Sequence, residues 1–316
     1  VKIAGNGGGA QALQAVITHR AALTQAGFSA ADIVKIAGKI GGAQALQAVI
    51  SHRAALIQAG FSATDIVKIA SNIGGAQALQ AVISRRAALI QAGFSAADIV
   101  KIAAYDGGAQ ALQAVITHRA ALTQAGFSAA DIVKIAGKIG GAQALQAFIT
   151  HRAALIQAGF SATDIVKIGG NGGGAQALQA VISHRAALTQ AGFSAADIVK
   201  IAGNIGGAQA LQAVITHRAT LTQAGFSATD IVRIASNIGG AQALQGVITH
   251  RAALTQAGFS AADIVKIASN NGGARALQAL IDHWSTLSGK TKADVMTAAT
   301  QYRGAAGALR RLAGLA

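Results

Sequence analysis

Apolar residues recur along this chain in two alternating helical patterns. Over residues 28–60, Ile33, Ile36 and Ala37 mark one face of a short helix at about 30–38. Leu46, Val49, Ile50 and Leu56 mark a longer helix at about 42–59. Ser29 stands at the start of the first helix with Asp32 three residues on, in the manner of a capping box. The Asp32 carboxylate also lies near the positive helix end. The short helix stops at Lys39-Ile40-Gly41-Gly42, and Gly60 closes the long one as a C-terminal glycine. Proline is absent, so no kink in the long helix is expected.

This pattern repeats nearly without change. Phe28, Phe61, Phe94, Phe127, Phe160, Phe193, Phe226 and Phe259 are spaced by 33 residues. With Phe as position 1, residues 1–27 are positions 7–33 of a truncated first repeat, and full repeats begin at each Phe. The opening at position 7 implies a natural start farther upstream. The array runs to residue 289, and 290–316 form a degenerate copy in which Ala293-Asp294-Val295-Met296 replaces Ala/Thr-Asp-Ile-Val. Together with Trp284, Tyr302, Arg310 and Arg311, this end reads as a capping repeat. One two-helix unit cannot bury its own apolar face. The expected fold is therefore all-α, a solenoid of stacked repeats.

Most repeat positions change mildly or not at all, but positions 12 and 13 differ in kind. Position 12 carries Asn6, Lys39, Asn72, Tyr105, Lys138, Asn171, Asn204, Asn237 and Asn270. Position 13 carries Gly7, Ile40, Ile73, Asp106, Ile139, Gly172, Ile205, Ile238 and Asn271. Four chemistries thus exchange at one place while the flanks stay fixed. A loop tolerant of any residue would drift at its neighbours too, whereas Gly-Gly-Ala follows every pair. Interchangeable letters on a constant frame account for the pattern better.

Charge bears on what the letters read. The chain has 26 Lys and Arg against 11 acids, all Asp, for a net charge of +15, which reads equally as attraction to a polyanionic partner or as generic solubility charge. There is no cysteine, which excludes disulfides, zinc–thiolate sites and Cys nucleophiles together. Hydrophobic content is 52%, yet uncharged stretches such as 168–184 carry five glycines along with Asn, Gln and Ser. A membrane-spanning helix needs about 20 predominantly apolar residues, so no membrane is expected.

Position 13 makes chemical sense against base edges in the major groove. A carboxylate such as Asp106 accepts from the cytosine amino group, and the Asn271 amide can meet guanine N7 and O6. Gly7 or Gly172 would leave room for the thymine methyl, and the isoleucines could pack on an adenine edge. The following glycines, Gly8-Gly9, Gly41-Gly42, Gly74-Gly75, Gly107-Gly108, Gly140-Gly141, Gly173-Gly174, Gly206-Gly207, Gly239-Gly240 and Gly272-Gly273, would offer bare amides to a phosphate at a helix N-terminus. Two residues on, Gln11, Gln44, Gln77, Gln110, Gln143, Gln176, Gln209 and Gln242 can add a hydrogen bond, with Arg275 in the last full repeat. Plain loop closure is the competing explanation of Gly-Gly.

The pairs followed by Gly-Gly, as in Ile-Ala-Ser-Asn-Ile-Gly-Gly at 69–75, resemble the repeats of transcription activator-like (TAL) effectors. The 33-residue length, Phe start, absent proline and His-Arg pair resemble the branch known as BurrH or Bat proteins. The resemblance covers residues 1–289 and implies a right-handed superhelix tracking the major groove of double-stranded DNA, one repeat per base. It implies that position 13 touches the base and that position 12 braces the loop by bonding a carbonyl of the preceding helix. Its code, Gly to T, Ile to A, Asp to C and Asn to G or A, implies a site of about 5′-TAACATAAG. It also implies a bacterial protein acting on DNA. Three features depart from the family: Lys39, Lys138 and Tyr105 at the bracing position, Ala43 and its equivalents for the usual Lys, and the missing proline.

Two basic stripes recur, at position 8 (Lys35 and its equivalents) and at position 26 (Arg20, Arg53 and onward), each readable as phosphate-facing or as a solvated face. All eight histidines fall at position 25. Spacing by whole repeats gives them separate, similar surroundings, so packing explains them better than a metal or catalytic site. No enzyme, cofactor, metal or small-molecule substrate is expected, and the chain reads as a monomer. A protein-binding helical scaffold is the alternative function, since many two-helix repeats of this length bind proteins.

Overall fold

In the computed structural model of the chain, Ser29 Oγ accepts the main-chain N–H of Asp32 at 3.1 Å, and Asp32 Oδ2 accepts that of Ser29 at 3.1 Å. This reciprocal cap satisfies two orphan donors and starts the short helix Ala30–Ala37. Ser62, Ser95, Ser128, Ser161, Ser194, Ser227 and Ser260 start their short helices in the same way. After a tight loop comes a helix of 17 residues, Gly42–Gln58 in the first complete repeat. It ends where Gly60 takes a φ of 86°. There the Gly60 N–H bonds Ile57 O and the Phe61 N–H bonds Leu56 O, a Schellman ending that places the next Phe on the core.

Residues 9–302 and 304–315 are described, and they contain no strand. They fall into two compact units, residues 1–152 and 153–316, each taken by itself. In the first, Gly9–Gln25, Gly42–Gln58, Gly75–Gln91 and Gly108–Gln124 pack each on the next, with Ala30–Ala37, Ala63–Ala70, Ala96–Ala103 and Ala129–Ala136 between them. In the second, Gly174–Gln190, Gly207–Gln223, Gly240–Gln256 and Gly273–Asp282 follow the same scheme with short helices from Ala162–Gly169 to Ala261–Ala268. Both are all-α repeat solenoids. In most repeats the core is Phe from position 1, two Ile from the short helix and Leu, Val and Leu from the long one, with Phe148 and Leu280 standing for the Val in two of them; Phe61, Ile66, Ile69, Leu79, Val82 and Leu89 are all buried. Each aliphatic side chain so buried contributes about 1.5–3 kcal/mol relative to exposure.

The expectation of an uninterrupted long helix fails in the last full repeat. Gly273–Asp282 stops at His283, whose φ is −114°, and a single turn, Trp284–Leu287, follows. The break coincides with Trp284, whose ring meets Phe259 edge-on at 5.2 Å. Beyond it, Lys292–Ala299 and Ala305–Leu312 pack on Gly273–Asp282 and on each other.

Candidate nucleic-acid interface

The loop between the two helices of a repeat is a single type II turn. Gly42 N–H donates to Lys39 O at 2.8 Å, and Gly41 has φ 77° and ψ 16°. Position 13 is thus the second residue of the turn, and the first glycine occupies the third, which needs a left-handed backbone. The second glycine has a different reason: a Cβ on Gly42 would stand 2.4 Å from Ala37 O. The turn accounts for the first glycine and the close approach of the short helix for the second.

This corrects one expectation about phosphate contacts. The amide of the second glycine is not bare, because the turn uses it. Gly42, Gly75, Gly108, Gly141, Gly174, Gly207, Gly240 and Gly273 all donate to the position-12 carbonyl at 2.8–2.9 Å. What remains open is the next part of the helix start. No side chain caps the long helices beginning at Gly42, Gly75, Gly108, Gly174, Gly207, Gly240 or Gly273. Their first-turn N–H groups, such as those of Ala43 and Gln44, are left for an outside acceptor at the positive end of the dipole. The short helices, by contrast, are all closed by Ser and Asp.

Position 13 stands out from the surface. The large hydrophobic side chains of Ile40, Ile73, Ile139, Ile205 and Ile238 are exposed, at 49–62%. Asp106 is exposed as well, and a Cβ added at Gly172 would meet nothing within 4 Å. Asn271 is half-buried, with Nδ2 3.5 Å from the Tyr302 hydroxyl.

Position 12 turns inward. Asn72 Nδ2 donates to Lys68 O at 2.6 Å, in the last turn of its own short helix. Asn171, Asn204, Asn237 and Asn270 bond the equivalent carbonyls of Lys167, Lys200, Arg233 and Lys266. Three of them also reach forward one repeat, Asn171 to Gly203 O, Asn204 to Ser236 O and Asn270 to Thr300 O. No expectation from sequence covered that second bond, because it depends on how closely successive loops stack. Lys39, Lys138 and Tyr105 do not form the expected brace: their side chains make no hydrogen bond among the described residues. A charged ammonium keeps its hydration more readily than an amide does.

In the second unit an open groove of about 760 Å³ brings several candidate residues together. Ile205 and Ile238 at position 13, Gly206, Gly239 and Gly272 at position 14, and Gln209, Gln242 and Arg275 at position 17 all border it. In the first unit a groove of about 1150 Å³ runs along Gln44, Gln77, Gln110 and Gln143. It also has a second row, Gln47, Gln80, Gln113 and Gln146, which the sequence reading passed over although three-residue spacing puts both rows on one helix face. His52, Arg85 and His118 border the same groove, with His118 Nε2 2.9 Å and Arg85 Nε 2.7 Å from the Gln Oε1 of the next repeat.

The two basic stripes separate in kind. Lys35, Lys68, Lys101, Lys134, Lys167, Lys200, Arg233 and Lys266 are all exposed. From Arg53 onward the position-26 arginines are half-buried, and Arg119 Nε donates to Ala92 O at 3.0 Å, at the end of the preceding long helix, with its guanidinium 5.7 Å from the Phe94 ring centre. Arg119 thus ties its repeat to the preceding one, whereas the buried Nε of Arg53, Arg86 and Arg152 has no hydrogen-bond partner among the described residues. Among the described residues no helix is long and apolar enough to cross a membrane. Asn6, Gly7 and Gly8 lie outside the described residues.

A family model described as TAL effector repeat matches the chain in six places, residues 7–39, 40–72, 106–138, 172–204, 205–237 and 238–270. Each match runs from one position 13 to the next position 12, and together they cover more than half of the chain. No curated protein matches it.

Proposed function

This chain belongs to the TAL effector repeat family of DNA-binding repeat proteins, and from that premise we propose that it reads double-stranded DNA in the major groove, one repeat per base. The observation that carries the reading is the type II turn. It holds the same backbone frame in repeat after repeat while its second residue changes chemistry, from Ile40 to Asp106 to Gly172 to Asn271. Beside that residue the uncapped long-helix N-terminus and Gln44 or its equivalents supply donors for a phosphate. Phosphate contacts then set register and the position-13 residue sets sequence. The amides used by the turns leave this role to the first glycine of each pair and to the first helical turn.

Each letter has a chemical partner. The Asp106 carboxylate accepts from the cytosine amino group, and the Asn271 amide donates to guanine. The open space at Gly172 admits a thymine methyl. The exposed isoleucines lose water when they pack on an adenine edge. The bonds made by Asn72, Asn171, Asn204, Asn237 and Asn270 brace the turns, and residues 290–316 close the end of the array. The branch resembling BurrH and Bat proteins accounts for the 33-residue unit without proline. Competition binding between a 5′-TAACATAAG duplex and scrambled duplexes at a stated salt concentration tests the reading. A preference for the first is expected; equal affinities would discard base reading and favour a protein-binding scaffold.

A further inference from the structure

One reading loop is held differently from the others. In the repeat that begins at Phe94, position 12 is Tyr105, which makes no side-chain hydrogen bond among the described residues. The neighbouring residue compensates: Asp106 Oδ1 accepts the main-chain N–H of Ile73 at 3.0 Å, across 33 residues. Ile73 sits at position 13 of the preceding repeat, and its own loop is anchored by the bond from Asn72 to Lys68 O. Among the five exposed isoleucines at this position Ile73 is the most covered, at 49% against 54–62% for the rest.

We infer that the Ile73 amide is a positioning group for Asp106, so that the third reading loop orients the carboxylate that reads the fourth base. This rests on the assignment of Asp106 to a base contact. A carboxylate has two oxygens and about four acceptor sites. Holding Oδ1 leaves Oδ2 for the cytosine amino group. A carboxylate–amide bond is charge-assisted and stronger than a neutral one, and it fixes a rotamer that would otherwise have to be ordered on binding. The fourth letter is then a joint property of two repeats. Elsewhere in the array an isoleucine at position 13 has no acceptor to offer its predecessor.

The turn permits a clean test. Ile73 is the second residue of a type II turn, with Gly75 N–H on Asn72 O at 2.9 Å and Gly74 at φ 79°, and proline is favoured at that place. Ile73→Pro removes the N–H, while Ile73→Ala removes the side chain and keeps the N–H. For each full-length chain, competition binding gives the ratio of affinities for duplexes with C or T at the fourth base. The ratio should fall roughly three- to tenfold in Ile73→Pro relative to Ile73→Ala, the worth of one such hydrogen bond. Equal or larger ratios in Ile73→Pro would overturn the positioning role. Hydrogen exchange of the Ile73 amide in the DNA-free chain supplies a readout independent of base reading. It should quicken in Asp106→Ala, and an unchanged rate would overturn the tie itself. If the unmodified chain shows no fourth-base preference while this exchange still responds, the base assignment has failed and the tie stands.

Discussion

A methyl group added at Gly108 would stand 2.2 Å from Ala103 O, whereas one added at Gly107 would meet only Gln110 Oε1 at 3.9 Å. The first glycine is required by its φ of 85°, the second by the close approach of the short helix. Sequence alone left Gly-Gly divided between phosphate binding and loop closure; the turn explains it by closure, and in the proposed reading the uncapped helix start is where a phosphate would sit. At position 13 the variation itself was legible in the sequence, and the structure places those residues second in the turn, with Ile40 and Asp106 exposed. The tie from Asp106 to Ile73 was not legible, since it depends on the distance between loops 33 residues apart. Asp106→Gly should move the fourth-base preference from C toward T, by about 1–3 kcal/mol, the scale of a good base contact. Affinities measured against four duplexes differing only at that base decide it, and an unchanged order would remove Asp106 from base reading.

Two helices in each repeat begin in opposite ways, one closed by its own side chains and one left open. The closed start was legible as Ser followed by Asp three residues on. Removing it by Asp131→Ala should cost about 1 kcal/mol, read as a lower urea midpoint; an unchanged midpoint would mean the box contributes nothing. The roles of the basic rows were not legible, because periodicity places Lys35 and Arg119 on helix faces without saying what packs there. At the far end, Lys292 occupies the position of the repeated Phe. Its Nζ bonds Asp263 at 2.8 Å and Gly258 O at 3.0 Å. The Lys292 hydrogen bond, aided by Ser260, holds the Asp263 carboxyl down at about 2 against an ordinary 3.8. A depressed carboxyl contributes stability that is present above its unfolded value and lost as pH falls through the folded one, here between about pH 4 and 2. In Lys292→Met the Asp263 titration followed by carboxyl NMR should rise toward 3.8. A midpoint still near 2 would assign the depression to Ser260 alone.

At the scale of the molecule, the two-helix repeat, its length and its all-α stacking followed from the spacing of Phe and the apolar periodicity, and the structure shows them. The break at His283 in the last long helix did not follow, because no proline marks it. A net charge of +15 supplies long-range attraction to a polyanion but no sequence preference. In the proposed reading, preference comes from the row of varied residues at the turn tips. Selection of bound duplexes from a fully randomised library, at one stated salt concentration, measures that preference without presupposing a site. The account predicts enrichment of a single consensus close to 5′-TAACATAAG, with C at the position read by Asp106. Bound duplexes with no shared sequence would contradict it.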